Sequence, residues 1–383
     1  MITTINNKHN KLNVPNLRFK EFQGEWITYK IKDVLSIGNG RDYKHLSNGE
    51  IPVFGTGGYM TSVDECLYDG ETTFIGRKGS INKPFYYNGK FWTVDTLFYT
   101  HSFNGITPKF TYCLFQTINW LKYNEASGVP SLSKDTIEKI KINIPGLEEQ
   151  NKIAKLMFVL DERIATQNKI IDKLQSLIKG LNDFLYTQYG GEVLTSFAEL
   201  GTSYSGLSGK SAQDFGSGKP FITYLNVYSN NVIKENDFQY VAIKDDEKQN
   251  VVKYGDVLFT LSSETPEEVG VGSVYLGKEK VYLNSFCFGI HITNTEVAFP
   301  PYLSYYVSLT AFRKFTYPYA QGSTRFNLCK ADFEKASIKL PTLADQKRIY
   351  SVLGHIDCKI ETERQMLNLY NSQKQYLLRQ MFI

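Results

Sequence analysis

Two stretches of the chain carry apolar residues at alternating steps of four and three. The first runs Ile153, Met157, Leu160, Ile164, Gln167, Ile171, Leu174, Ile178, Leu181 and Leu185. The second runs Ile349, Leu353, Ile356, Ile360, Glu363, Leu367, Tyr370, Lys374, Leu377 and Met381. This period predicts two long amphipathic helices, each with a heptad seam. The polar break at Gln167 recurs at Glu363, and a second break stands at Lys374. Two seams in matching register can pair with each other, and the large segment between them predicts an antiparallel coiled coil. Its contacts are expected from Ile153, Leu160, Ile164, Ile171 and Leu174 against Ile349, Leu353, Ile356, Ile360 and Leu367. Residues 153–185 span roughly 48 Å at about 1.5 Å per residue, more than the roughly 34–36 Å of one DNA turn.

Ahead of each helix the pattern changes to short apolar runs of strand character. Glu71–Gly76 and Phe91–Thr100 in the first half correspond to Val251–Thr260 and Val281–Thr293 in the second, bounded by turn residues. Helices are expected at 108–123 and 300–315, each opening near a proline. The junctions are written twice. Lys139-Ile140-Lys141-Ile142-Asn143-Ile144-Pro145 leads into Leu147-Glu148-Glu149-Gln150, and Lys335-Ala336-Ser337-Ile338-Lys339-Leu340-Pro341 leads into Leu343-Ala344-Asp345-Gln346. The offset, 341 − 145 = 196, is about half the chain, so two copies of one unit are present rather than a solenoid. The chain is read as α+β: a flexible tail over 1–14, a domain over 15–146, a helix over 147–190, a second domain over 191–342 and a C-terminal helix over 343–383.

Composition changes this picture little. Formal net charge is +4, from 43 Lys plus Arg against 39 Asp plus Glu. Residues 16–145 hold 15 basic and 13 acidic side chains and residues 195–341 hold 14 and 15, so any electrostatic footprint comes from local placement. The five cysteines are scattered with no C-x-x-C pair, which argues against a disulfide framework or a zinc site. With no apolar leader and no membrane span, a cytoplasmic chain with no membrane partner is expected.

Catalytic motifs fail on detail. Asn82-Lys83-Pro84-Phe85 lacks the first proline of an N-P-P-F base-binding turn, and Phe54-Gly55-Thr56-Gly57-Gly58 has misplaced glycines for a cofactor loop. Gly209-Lys210-Ser211 resembles the end of a phosphate-binding loop, but Tyr204 stands where the leading glycine belongs. The five histidines show no metal spacing. No catalytic or metal residue is assigned.

The duplicated order of motifs resembles the type I restriction-modification specificity subunit over nearly the whole chain. The resemblance rests on Ser127-Gly128-Val129-Pro130-Ser131-Leu132-Ser133, then Ile142-x-Ile144-Pro145-x-Leu147-x-Glu149-Gln150 and the long helix. It rests equally on Gln321-Gly322-Ser323-Thr324-Arg325 before Ile338-x-Leu340-Pro341-x-Leu343-x-Asp345-Gln346, on the Gly76-Arg77-Lys78-Gly79-Ser80 turn, and on Pro15-x-Leu17-Arg18-Phe19 with Trp26. The chain departs from the family at Asp345, where Glu is usual, and at Ser262-Ser263-Glu264, which is read in place of Gly76-Arg77-Lys78.

The resemblance implies two target recognition domains of pseudo-repeated α/β type, each reading half of a bipartite site in double-stranded DNA. It implies that the two helices set the spacing and dock two methyltransferase subunits, through which restriction subunits join. S-adenosylmethionine, ATP and magnesium then belong to the partners and none to this chain. A differing reading is an orphan duplicated DNA-binding or scaffold protein without active partners.

Side chains able to read bases or hold phosphates are sought on loops. The candidates in the first domain are Arg41, Lys44, Tyr59, Arg77, Lys78, Ser80, Lys83 and Ser131. In the second domain they are Lys210, Ser211, Ser262, Ser263, Thr324 and Arg325.

Overall fold

The computed structural model describes residues 2–4 and 13–383. The chain forms two compact units, one of residues up to Lys169 together with Arg364–Ile383, the other of Ile170–Glu363. Both divisions fall inside the long helices, so each unit holds one strand-rich domain and a share of both helices. Most of the tail expected over 1–14 lies outside the described residues, but Ile2–Thr4 pair antiparallel with Leu17–Phe19.

In the first unit a six-stranded sheet runs in the order Ser36–Asn39, Leu97–His101, Tyr68–Gly76, Phe85–Thr93, Asn48–Gly55, Gly58–Val63. All its pairings are antiparallel except Val53–Phe54 against Trp92–Thr93. Gly70 faces Gly89 across the ladder, with φ of +146° and +134°, values that side chains other than glycine's rarely tolerate. Phe85, the cross-strand partner of Phe74, and Phe91 both lie with ring centres 4.7 Å from that of Phe74. Against this sheet packs the helix Pro108–Phe115, started by Pro108 and capped by Thr107, burying Phe110, Cys113, Leu114 and Phe115. The core also takes Trp26, Ile142, Ile153 and Met157, and from the far end of the chain Leu377, Met381 and Phe382. Phe382 stacks on Phe110 at 5.4 Å and meets Trp26 edge-on at 6.2 Å.

The second unit repeats the plan with different parts. Its sheets are Gly201–Ser205, Cys287–Ile292, Val257–Thr260, Gly272–Val274 in one and Gln239–Val241, Phe215–Ile222, Tyr282–Leu283 in another. Val193–Thr195 pair with Ile338–Leu340 as Ile27–Lys30 pair with Lys141–Ile144. One core volume is filled from opposite strands in the two copies. Tyr99 covers its cross-strand partner Gly38 in the first unit, and Tyr204 covers its partner Gly289 in the second.

The central helix spans Leu147–Tyr189 and the C-terminal helix Leu343–Met381. They run antiparallel in each unit. In the first, Lys374 meets Asp161 and Tyr370 meets Arg163. In the second, Arg348 lies over Tyr189, and Ile178, Leu181 and Leu185 pack with Ile349 and Leu353. Ile153, Leu160, Ile171, Ile349, Leu353 and Ile360 are buried, while Ile164, Leu174, Ile356 and Leu367 are half-buried.

Five expected elements are shorter than their apolar runs. The runs at 91–100 and 281–293 each break into two strands, at Val94-Asp95-Thr96 and Asn284-Ser285-Phe286. In 251–260 only Val257–Thr260 is strand. The expected helices at 108–123 and 300–315 each split in two, Pro108–Phe115 then Trp120–Tyr123, and Pro300–Tyr306 then Thr310–Thr316. Among the described residues no helix is long and apolar enough to cross a membrane, and no group of three acidic, His or Cys side chains is placed to hold a metal.

Candidate nucleic-acid interface

The two strand breaks are hubs to which the candidate loops are tied by backbone hydrogen bonds. In the first unit Arg41 N donates to Thr93 O (2.8 Å), Val94 N to Phe54 O (3.1 Å), Arg77 N to Thr96 O (2.8 Å) and Gly40 N to Leu97 O (3.2 Å). Leu132 N donates to Arg77 O (2.8 Å), drawing in the Ser127–Leu132 loop, and Lys78 forms an antiparallel bridge with Ser131. Buried backbone groups must be satisfied somewhere, and here they fix four separate loops around one short turn.

The second unit makes the same bonds. Leu207 N donates to Leu283 O (2.7 Å), Asn284 N to Ile222 O (3.0 Å), Leu261 N to Phe286 O (2.8 Å), Gly206 N to Cys287 O (3.2 Å) and Leu328 N to Leu261 O (2.8 Å). Ser262 pairs with Asn327 as Lys78 does with Ser131. These bonds set the equivalences Arg41 with Leu207, Arg77 with Leu261, Lys78 with Ser262, Thr96 with Phe286 and Ser131 with Asn327. The motif reading that put Ser262 opposite Gly76 is therefore two residues out of register. The scaffold is repeated, while the side chains it presents are not.

In the first unit Arg41, Lys44, Tyr59, Arg77, Lys78, Ser80 and Lys83 are all exposed. Arg41 accepts from Trp92 Nε1 through its carbonyl, its guanidinium makes no hydrogen bond among the described residues, and Arg77 Nη1 donates to Asp95 O at 3.3 Å. Ser131 is half-buried on the bridge to Lys78. Tyr59 sits on the Gly55–Gly58 hairpin, its hydroxyl 3.1 Å from Ser62 Oγ. Arg41 also bears on Tyr99: burial pushes that phenol's pKa up, and the guanidinium opposes the rise. Lys83 follows the turn at Ile81, and among the described residues no hydrogen bond ties it to the hub.

The second-unit candidates divide. Lys210 is committed inward, its Nζ donating to Ala242 O at 2.6 Å and to Glu247 at 2.5 Å with only 8% of the side chain exposed. A neutralised, buried ammonium of this kind is a tie between loops and is unavailable to phosphate. Ser211 spends its hydroxyl and N–H on Asp214, Ser263 donates to Glu268 at 2.5 Å, and Ser262 is buried with its carbonyl taken by Tyr224. Thr324 and Arg325 remain exposed at a hairpin tip. What motif reading missed is the hub itself, above all Phe286, which is 52% exposed. The available signal was a polar pair, Asp95-Thr96 or Asn284-Ser285, inside each apolar run.

A second duplicated feature fixes the helices to their domains. Gln150, fully buried, donates from Nε2 to Gly105 O (2.9 Å) and Pro145 O (2.8 Å) and accepts from Thr107 N (2.8 Å). Gln346 does the same with Val297 O, Pro341 O and Phe299 N at 2.8–2.9 Å. The neighbouring acid differs. Glu149 forms a buried bidentate pair with Arg18, both bonds 2.8 Å, whereas the shorter Asp345 accepts from the hydroxyl of Thr342, which caps the helix by accepting from Asp345 N.

The chain matches the model of the type I restriction modification DNA specificity domain twice, over residues 23–176 and 200–369. It is 28% identical over 291 residues to the protein named as the specificity subunit of type I restriction enzyme MjaX of Methanocaldococcus jannaschii, covering 68% of this chain and 64% of that one. It is 22% identical to a type I restriction enzyme specificity subunit of Haemophilus influenzae, covering 93% and 95%. Among solved structures, the type I restriction-modification S subunit of M. genitalium aligns over 97% of this chain and 99% of that one, with a TM-score of 0.61 at 14% identity. A chain from a study of type I complex assembly and conformational transition aligns over 92% and 96%, with a TM-score of 0.57 at 16% identity.

Proposed function

Because the chain belongs to the family of type I restriction-modification DNA specificity domains, we propose that it directs such a complex to a bipartite site in double-stranded DNA. Each unit reads one half-site with the loops tied to its hub, and the paired helices set the unread spacing. The observation that carries this reading is the repeated set of hub bonds around unlike side chains: the exposed Arg77 stands where Leu261 packs on the core, and Thr96 stands where Phe286 is exposed. One scaffold with two reading surfaces is what two different half-sites require, since sequence is read by side chains at base edges. The exposed cations Arg41, Lys44, Lys78 and Lys83 are available to phosphates and bases of the first half-site.

The chain is non-catalytic. Methyl transfer from S-adenosylmethionine belongs to two methyltransferase subunits docked on the helices, and ATP- and magnesium-dependent cleavage to restriction subunits held through them. Transfer of labelled methyl groups to duplex DNA tests this directly. The expected result is activity with chain and methyltransferase together and none with either alone. Activity of the methyltransferase that is indifferent to this chain would remove the proposal.

A further inference from the structure

Arg325 is held differently from Arg313 and Lys210 of the same unit. Arg313 spends its guanidinium on the carbonyls of Gly270, Glu267 and Val269, and Lys210 is ion-paired to Glu247. Arg325 makes no hydrogen bond and no ion pair among the described residues. Its guanidinium carbon instead lies 5.4 Å from the centre of the Phe286 ring. Both residues are exposed, and each belongs to a turn with defined backbone partners. Phe286 sits in the hub turn, its carbonyl taken by Leu261 N. Arg325 closes the tip of the hairpin of Ala320–Gly322 and Phe326–Leu328, where Gly322 has φ +149° and the Arg325 backbone lies too close for a β-carbon there.

An exposed aromatic face that holds a planar, always-charged fork with its donors unspent is a preorganised hydrogen-bond donor. The fork's geometry matches one base edge best, the O6 and N7 acceptors of guanine in the major groove. The first unit has no counterpart. Thr96 replaces Phe286 at the hub, and the repeat offset places the exposed Val129 where Arg325 stands.

Resting on the proposed DNA-reading function, we propose that Arg325 reads a guanine in the half-site of the second unit, and that Phe286 is the positioning residue that aims its guanidinium. Arg325 donates both N–H bonds to one base, and Phe286 touches the arginine rather than the DNA.

The test maps methylated adenines in a host lacking this modification, with the full chain and its methyltransferase subunit co-expressed. Wild type is expected to give a bipartite motif with a guanine in one half-site. Arg325→Ala and Arg325→Lys should each relax that single position by roughly tenfold to a hundredfold, with the other half-site and the spacer unchanged. Phe286→Ala should relax the same position, and Phe286→Tyr, which keeps the ring, should restore it. A Val129→Ala control should leave the position intact. If both Arg325 variants retain every guanine of the wild-type motif, Arg325 is not the reader. If Phe286→Ala matches wild type while Arg325→Ala relaxes the position, the positioning role falls. A wild-type pair giving no bipartite motif would instead overturn the function on which the inference rests.

Discussion

Lys374 places its ammonium 2.5 Å from Asp161 Oδ1, joining the C-terminal helix to the central helix at a position where the heptad pattern calls for an apolar side chain. The pair is largely enclosed, with side-chain exposures of 14% and 28%, and Asp161 Oδ2 is buried without a hydrogen-bond partner. Removing one member strands the other's charge, whereas removing both leaves two apolar faces. Lys374→Met is expected to lower unfolding free energy by about 1–3 kcal/mol. The double variant with Asp161→Leu should recover most of that loss in urea unfolding. A double variant less stable than Lys374→Met would contradict the pairing.

The glutamine clamps give a sharper chemical test. Gln150→Ala leaves two carbonyls and one N–H without their buried partner, at a cost of about 2–4 kcal/mol. Gln150→Glu keeps the acceptor for Thr107 N but sets a carboxylate against the Gly105 and Pro145 carbonyls, so at pH 7 it should destabilise at least as much as alanine. Because protonation returns one donor, the glutamate variant should gain stability relative to alanine as pH falls. Thermal unfolding across pH 4–8 checks both orders, and the Gln346 variants should repeat them.

The Arg18–Glu149 pair accounts for the different acid in each copy. Shortening the side chain in Glu149→Asp withdraws both oxygens from a buried guanidinium, with an expected loss of about 3–5 kcal/mol. Asp345→Glu faces no such partner and disturbs only a helix cap, an effect of about 1 kcal/mol or less. Equal effects of the two exchanges on the urea midpoint would show that Arg18 does not set the requirement.

Thiol reactivity should separate four of the five cysteines by burial. Burial, with Asp161 adding to it, pushes the Cys113 thiol up to about 12, and burial alone pushes Cys287 upward. Cys66 and Cys358 are exposed. Since the thiolate is the reactive form, Cys66 and Cys358 should modify rapidly in native protein, and Cys113 and Cys287 only on unfolding. Rapid native labelling of Cys113 or Cys287, located by peptide mapping, would contradict the packing of these cores.

The seam of the helices was legible because one period runs through ten positions and every seam residue named from it is at least half-buried. The duplication was legible because Gln150 and Gln346 answer to the same backbone groups, so the words around them repeat. The hubs were not. Val94-Asp95-Thr96 and Asn284-Ser285-Phe286 share no residue type at equivalent positions, since main-chain bonds define the turn and side chains are left free. Lys210 shows the reverse failure: a cation beside glycines reads as a phosphate contact, but Glu247, 37 residues away, neutralises it. Long-range ion pairs of that kind have no local signature.

Two copies of one scaffold are proposed to read two different half-sites. Single-molecule sequencing of methylated adenines, in cells carrying this chain with its methyltransferase, tests it most directly. The expected result is one bipartite motif, its half-sites unlike in sequence and separated by a fixed run of unread bases. A contiguous motif, two identical half-sites, or methylation unchanged by deleting this chain would contradict it.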